Sequence, residues 1–405
     1  MERAPTCITT SRPDTGLITS CISRVYATGF DNGIAVGGAN PGAGFSDVQV
    51  SDCLVSGNTD AGLESYGPAF NPRSPAYANQ DLDVSGVVAP RNYGDPHVTS
   101  RNTGNGIVLG SVQGGRIEWS IADSNGGAGG ASQGPTGIWT YDSTDVVIEH
   151  SFSYQTETPN HADGNGFGLD QNTSNSIMQY DLSYENFGSG FLVYSRLAYG
   201  AQRNNTVRCD ISSGDSSDEG TFNGGITVSG PVSDVDVFQN TVLMISGSSS
   251  SNPALRRGAG VREIAARNNI FVTYSHPVVV AAQALTPATA VLQGNDYFST
   301  GRTWSIQWGP KTYGSLASWR AATSEEVVAG QKTGFTVNPE MIGPVQGLSA
   351  EVAAGQSSAG NGFVLRAGSP LLSKGLDLVG LGLGPGSLNF AGKRQPALHP
   401  NVGAQ

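Results

Sequence analysis

The chain has 405 residues, of which 56 are glycine and only 14% are charged, with a net charge of −11. That charge argues against nucleic acid as a partner, and no run of about 18 apolar residues is present to span a membrane. Four cysteines are too few for a disulfide scaffold, and no metal-ligand spacing joins them.

Met1 is followed by ERAPTCITTSRPD, which lacks the apolar core of a signal peptide. A repeat is already under way between Ile18 and Ile34, with no capping helix before it. Solenoids need a polar cap at each end, so an N-terminal signal and cap are expected to be missing from this chain. Cys21 and Cys53 lie in similar contexts, SCIS and DCLV. They are expected to stack in adjacent coils, either bridged or as a ladder of buried thiols, the latter favoured. Cys7 and Cys209 have no evident partner.

One phrase then recurs. It reads DNGIAVG (31–37), DAGLESY (60–66), GNGIVLG (104–110), GIWTY, GFGLD, GFLVY and NGGITVSG (223–230). Its opening glycines are Gly33, Gly62, Gly106, Gly137, Gly166, Gly190 and Gly225, separated by 29, 44, 31, 29, 24 and 35 residues. Each phrase is followed by a turn and a second apolar stretch, such as VVIEHSFSY or SIMQYDLSY. Period-two alternation argues strand, and a repeat of coil length means one stacked unit per repeat. These features predict an all-β chain, a single-stranded right-handed parallel β-helix. An antiparallel sandwich would not repeat one phrase at this period.

Between the phrases, Asn58, Asn125 and Asn186 recur at equivalent turns and read as structural amides stacked up the solenoid. The long step from 67 to 105 holds two loops around one strand, DLDVSGVV; such loops tend to build a groove wall. Residues 1–300 are expected to form the β-helix. After Thr300 the pattern breaks. Residues 301–405 read as a loop-rich C-terminal cap with one short helix, from Thr312, carrying Leu316, Trp319 and Arg320.

Alternation also assigns the faces. The second and fourth residues of each opening strand, such as Ile138, Phe167, Phe191 and Leu169, turn inward. The third and fifth turn outward. One outer face therefore carries Glu64, Tyr66, Trp139, Tyr141, Asp170 and Tyr194, with Arg196 just beyond. Folding does not call for aromatics and carboxylates on an exposed sheet. Rings stack on sugar faces and carboxylates bond hydroxyls, so the expected partner is a polysaccharide.

Glycoside hydrolysis needs two carboxyl groups about 5 to 9.5 Å apart. Glu64 is three coils from Asp170, roughly 14 Å by strand spacing, so Asp142 and Asp163 are the better partners. His161, in the turn before Gly166, is a candidate general acid or base. The same carboxylates are also able to hold Ca²⁺; no other cofactor is called for. A uronate lyase or epimerase needs a cation for the sugar carboxylate and a base. No lysine precedes Lys311, so these roles in the coils would fall to arginine, histidine, tyrosine or bound Ca²⁺, with Arg196 the nearest candidate. The first expectation is hydrolysis, the second a uronate-polysaccharide lyase or C5-epimerase, the third a non-catalytic glycan-binding or attachment protein.

The phrases GNGIVLGSVQGGRIEWSIADSNG, GPTGIWTYDSTDVVIEHSFSYQT and DGNGFGLDQNTSNSIMQYDLSYENFGSGF resemble the pectate-lyase-like superfamily of right-handed β-helix proteins. They are similar, more narrowly, to bacterial secreted β-helix proteins of unassigned activity. TYGSLASWRAAT and FAGKRQPALHPNVGA resemble that group's ending. The resemblance implies a secreted or cell-surface location. It also implies an acidic DG-G-FDLDGG form of Asp163 to Asn172, from which this chain departs at Gly168, Gln171 and Asn172. Tyr184 and Glu185 stand where that group has the His and Asp of a YSHDN phrase. YGDPH, from Tyr93 to His97, resembles a motif of mannuronan C5-epimerases but falls in a loop between coils.

Overall fold

A computed structural model describes residues 9–11, 19–40, 43–196, 198, 200–217, 222–244, 252–283, 286, 289–342, 362–384, 388–396 and 398–404. Cys7 lies outside them. Each coil contributes three strands, as in Asn105–Gly110, Val112–Glu118 and Ile121–Asp123. Stacked coil on coil, they form two 11-stranded sheets and one 10-stranded sheet, here the groove sheet, the middle sheet and the short-strand sheet in that order around the coil. Pairing between successive coils is parallel, with antiparallel strands only at the ends of the two larger sheets, Thr9–Ser11 and Lys311–Tyr313, giving a right-handed parallel β-helix of about 9 turns.

The register follows the alternation. Ile107 pairs with Leu63 and Ile138, Ile138 with Phe167, and Phe167 with Phe191. These side chains are fully buried inside the coil. The Phe167 and Phe191 rings stack with centroids 5.1 Å apart and planes 9° from parallel.

The second apolar stretch of each phrase is two strands, not one. Thr144–Glu149 belongs to the middle sheet and Phe152–Tyr154 to the short-strand sheet. The corner between them is a residue in the left-handed region: Trp119 (φ 52°), His150 (φ 52°) and Tyr180 (φ 60°) in successive coils. DLDVSGVV divides in the same way, into Asn79–Ser85 and Val88–Pro90.

The residue after each corner turns inward and bonds up the axis. Ser151 N donates to Asp181 Oδ1 (2.8 Å), Asp181 N to Asp210 Oδ1 (2.8 Å) and Asp210 N to Asn240 Oδ1 (2.9 Å). Asn269 and Asn295 continue the series. At the next corner Asn58, Asn92 and Asn125 form a second amide ladder with Nδ2–Oδ1 links of 3.0 Å. Asn58 N and Asn92 N donate to the same Oδ1 atoms (3.0 and 2.9 Å), so in both ladders a side-chain oxygen satisfies a buried backbone N–H that the sheets leave unpaired. The expected structural role of Asn58, Asn125 and Asn186 is observed, with Asn92 as the missing rung.

Cys21 and Cys53 are free thiols and are not stacked on one another. Cys21 pairs across the middle sheet with Gln49, whereas Cys53 Sγ accepts from Val25 N (3.5 Å). The coil pattern also runs past Thr300, since Ile306–Trp308 pairs in parallel with Val279–Ala281. The helix is Leu316–Thr323, shorter than expected because Lys311–Tyr313 is a strand and Ser315 caps the first turn. Leu316 and Trp319 are its buried residues. Farther on, Phe363, Leu365, Leu371 and Val402 pack on Leu182, Ile211 and Ile270, covering the outer side of the short-strand sheet in the later coils.

Candidate active site

The outer side of the groove sheet holds an open groove of about 760 Å³. Its floor spans the six strands from Ala61–Tyr66 to Ile226–Ser229, roughly 24 Å at the spacing of neighbouring strands. Its wall comes from the loops that lead into this sheet, through Arg101, Gln133, His161 and Phe222. Such a trough suits an extended chain rather than a compact small molecule.

Most of the residues expected on the face line it. Glu64, Trp139, Tyr141, Asp170, Tyr194 and Arg196 all do, as do His161 and Asp163 of the entering turn. Tyr66 and Asp142 are not part of the lining. The insertion from 67 to 78 follows Tyr66 directly. Asp142 faces its own corner, where it accepts from Asn172 Nδ2 (2.6 Å), and burial raises its pKa. Tyr93 to His97 is also outside the lining.

Trp139 is a wall residue rather than an open stacking platform. It is 8% exposed. Its Nε1 donates to Asn105 Oδ1 (3.1 Å), and its ring packs with Ala61, Val108 and Tyr141. Tyr141 lies down across Gly110, where a Cβ would sit 2.3 Å from its Cζ. Glycine at 110 is what lets the phenol reach Glu64 Oε1, two coils away, at 3.4 Å. Asn32 Nδ2 donates to the other Glu64 oxygen (3.0 Å). Burial first, then the nearby Asp60, raises the Glu64 pKa. Burial first, then Glu64, raises that of Tyr141. Asp60 itself holds Arg101 in an ion pair at this end of the groove. Sequence reasoning missed that pair, because loop length hides which loop residue returns to the face.

At the other end the groove brings two carboxylates together. Asp163 Oδ2 accepts from Gly134 N (2.9 Å) and Oδ1 from Asn165 Nδ2 (3.4 Å). Its pKa is nonetheless raised, because burial outweighs those bonds. Asp170 N donates to Thr140 O (2.9 Å), and its Oδ1 accepts from Gln171 N (2.6 Å). Its pKa is pushed up to about 7, by burial first and then by the Asp163 charge, against the Gln171 amide and Arg196. Tyr141 leans away from Asp170, over Gly110 of the preceding coil toward Glu64. Arg196 Nε donates to Tyr194 Oη (3.1 Å), the Arg196 charge acts on the Asp170 carboxylate, and all three side chains line the groove. Tyr184 and Glu185 are elsewhere: Tyr184 is buried under the short-strand sheet's cover, and Glu185 accepts from Gln155.

Among the described residues no group of three or more His, Cys, Asp or Glu side chains is arranged to hold a metal ion. No helix is long and apolar enough to cross a membrane among them.

No family model and no curated protein matches the chain. Among solved structures it is similar to pectate lyase Pel9A, at 12% identity over 95% of this chain and 87% of that one, with a TM-score of 0.54. An alginate lyase from Paenibacillus sp. str. FPU-7 aligns at 13% identity over 71% of this chain and 90% of that one, with a TM-score of 0.46. The A-module of the Azotobacter vinelandii mannuronan C-5 epimerase AlgE4 aligns at 14% identity over 73% and 79%, with a TM-score of 0.43. Likeness at such identity is likeness of fold, and the chain has the parallel β-helix fold of the pectate-lyase-like proteins.

Proposed function

We propose that this protein acts on a uronate-containing polysaccharide in the groove, as a lyase or C5-epimerase. The grouping of Asp170 in one groove with Arg196, whose charge acts on it, and Tyr194, which Arg196 bonds, carries the reading. Removing the proton at C5 of a uronate leaves charge that its own carboxylate must absorb. A cation on that carboxylate and a base beside C5 are the two requirements. Arg196 supplies the cation. Asp170, with a pKa of about 7, is a base that is both available and proton-hungry near neutrality.

Asp170 takes the C5 proton, and the C–H electron pair moves into the carboxylate system held by Arg196. In elimination that pair returns as a C4–C5 double bond while the C4–O4 bond breaks, and O4 leaves with a proton from the Tyr194 hydroxyl. In epimerisation the Tyr194 O–H bond breaks instead to give C5 a proton from the opposite side, and the C4–O4 bond stays intact. The distal Arg101, beside Glu64 and Tyr141, offers a second anchoring point along the polymer. An extracellular or cell-surface location goes with such a substrate. A pectate lyase of this fold is compatible with the reading, but the groove chemistry is what supports it.

Hydrolysis, the first expectation, gives way here. It needs two carboxyl groups free to face one another across the bond. Asp163 is bonded to Gly134 and Asn165, and Asp142 lies outside the lining. No cation is required by that chemistry, yet the charge of one acts on the base.

The test is product chemistry on pectate, alginate and a neutral glucan, in deuterated buffer. The expected result is either the ultraviolet absorbance of a C4–C5 unsaturated end or deuterium at C5 of an intact polymer. Both should vanish in Asp170→Asn. New reducing ends without unsaturation would restore hydrolysis, and binding without any turnover would leave a glycan-binding protein.

A further inference from the structure

The corner between the middle and short-strand sheets does not adjoin the groove sheet. Its residues stack in register as Asp52, Gly86, Trp119, His150 and Tyr180. This follows from the pairing of Ser51 with Ser85, Ser85 with Glu118, Glu118 with Glu149 and Glu149 with Gln179, each one residue before its corner. Trp119 and His150 are stacked at 4.3 Å with planes 1° apart, and His150 and Tyr180 at 5.0 Å and 15°. Tyr180 is anchored by its hydroxyl on Leu388 O (3.3 Å). The stack is therefore fixed at one end and open at the other.

Its open end is costly to build. Trp119 has a φ of 52°, a conformation that bulky side chains rarely adopt. It is 57% exposed, so core packing does not account for the indole. Nor does hydrogen bonding, since among the described residues its N–H has no acceptor. The next coil position is Gly86, in the same left-handed region (φ 65°), with no side chain to cover the ring. One coil farther stands Asp52, whose Oδ1 is 3.0 Å from the place a Gly86 Cβ would occupy. The missing side chain thus leaves a slot over the indole face, bordered by the Asp52 carboxylate, which leans over Gly86.

We propose that this slot is a second carbohydrate site, distinct from the groove, that takes a pyranose ring of a neutral polysaccharide. A sugar ring stacks its C–H face on an indole, and a carboxylate accepts its hydroxyls. The charge around the slot selects a neutral ring. Asp52 borders it, and Glu118 lies close enough to act on His150. Of the cations, Arg116 is engaged by Glu149, and Arg24 is the corner residue one coil beyond Asp52, on the side away from the indole. With Asp52 between the indole and Arg24, the carboxylates nearest the ring disfavour a uronate. The protein would hold a neutral polymer at this corner and work on a charged one in the groove, and the two sites stand or fall separately.

The experiment is affinity electrophoresis of the full chain in native gels containing mixed-linkage β-glucan, xylan, pectate or no polymer. Three variants accompany the parent: Trp119→Ala, Gly86→Asn to fill the slot at a position that asparagine tolerates, and Asp170→Asn in the groove. Retardation of the parent by a neutral glycan is expected, lost in Trp119→Ala and Gly86→Asn and kept in Asp170→Asn. Quenching or a shift of tryptophan fluorescence by the same glycan, absent in Trp119→Ala, reads the site independently of gel mobility. A parent that no neutral glycan retards overturns the proposal. So does retardation that survives both corner variants, or that Asp170→Asn abolishes.

Discussion

Asp170 is pulled in two directions. Burial and the Asp163 charge hold a proton on it, while the Gln171 amide and Arg196 favour the carboxylate, and the balance lies at about 7. If Asp170 must be ionised to act as base, kcat/KM should rise with pH through that value. Replacing Asp163 by asparagine keeps an acceptor for Gly134 N but removes a like charge. That change favours the ionised form of Asp170 and lowers its pKa. The acid limb of the pH–rate profile should therefore move to lower pH in Asp163→Asn, with the plateau reached earlier. A limb that stays where it is in the parent would mean that another group titrates there, His161 at the rim being the next to replace.

At the scale of the strand, the interior column is what holds the face in place. Phe167 is fully buried and stacked on Phe191. Phe167→Ala should cost about 3–5 kcal/mol, the usual penalty for a large cavity in a packed core. Denaturant unfolding measures it, and a parent-like midpoint would undo the assignment of inside and outside. That assignment was legible in the sequence because a strand offers only two faces, and Ile138, Phe167 and Phe191 recur on one of them. Most of the groove floor followed from the same alternation, Glu64, Tyr141, Asp170 and Tyr194 included. What alternation cannot report is where a long side chain goes after it leaves the sheet. Tyr141 bends over Gly110 and Trp139 is walled in by Asn105, and both depend on neighbours one coil away. The Arg101–Asp60 pair depends on the path of a loop with no period. The stack of Trp119, His150 and Tyr180 does recur at coil spacing. It was missed because each residue sits in a turn, between strands read as one.

For the whole solenoid, the ladder that runs up its axis carries an acidic defect. Asn240, Asn269 and Asn295 each donate from Nδ2 to a carbonyl one coil back, at Val207, Val237 and Ala266, in bonds of 2.9 Å. Asp210 and Asp181 occupy the same rungs, but their Oδ2 atoms have no partner. By register the carbonyls they face are those of Met178 and Ile148. A carboxylate cannot donate to a carbonyl, whereas a carboxylic acid can. Burial, and for Asp181 the neighbouring Asp210, raises both pKa values well above the ordinary range, so the fold retains protons there that the unfolded chain would release. The sign follows from linkage. A raised folded-state pKa gives stability that is full below the unfolded value near 3.9 and is lost as pH rises through the folded value. Asp210→Asn supplies a permanent donor toward Met178 O and removes one of two coupled charges. It should be close to the parent in stability at pH 3 and more stable at pH 8, by roughly 1–3 kcal/mol, the cost of an unsatisfied buried polar group. Thermal melts across that range measure the difference. A variant that loses stability at pH 8 would mean that the ionised Asp210 is itself bound by something the ladder needs, and that the defect is a site.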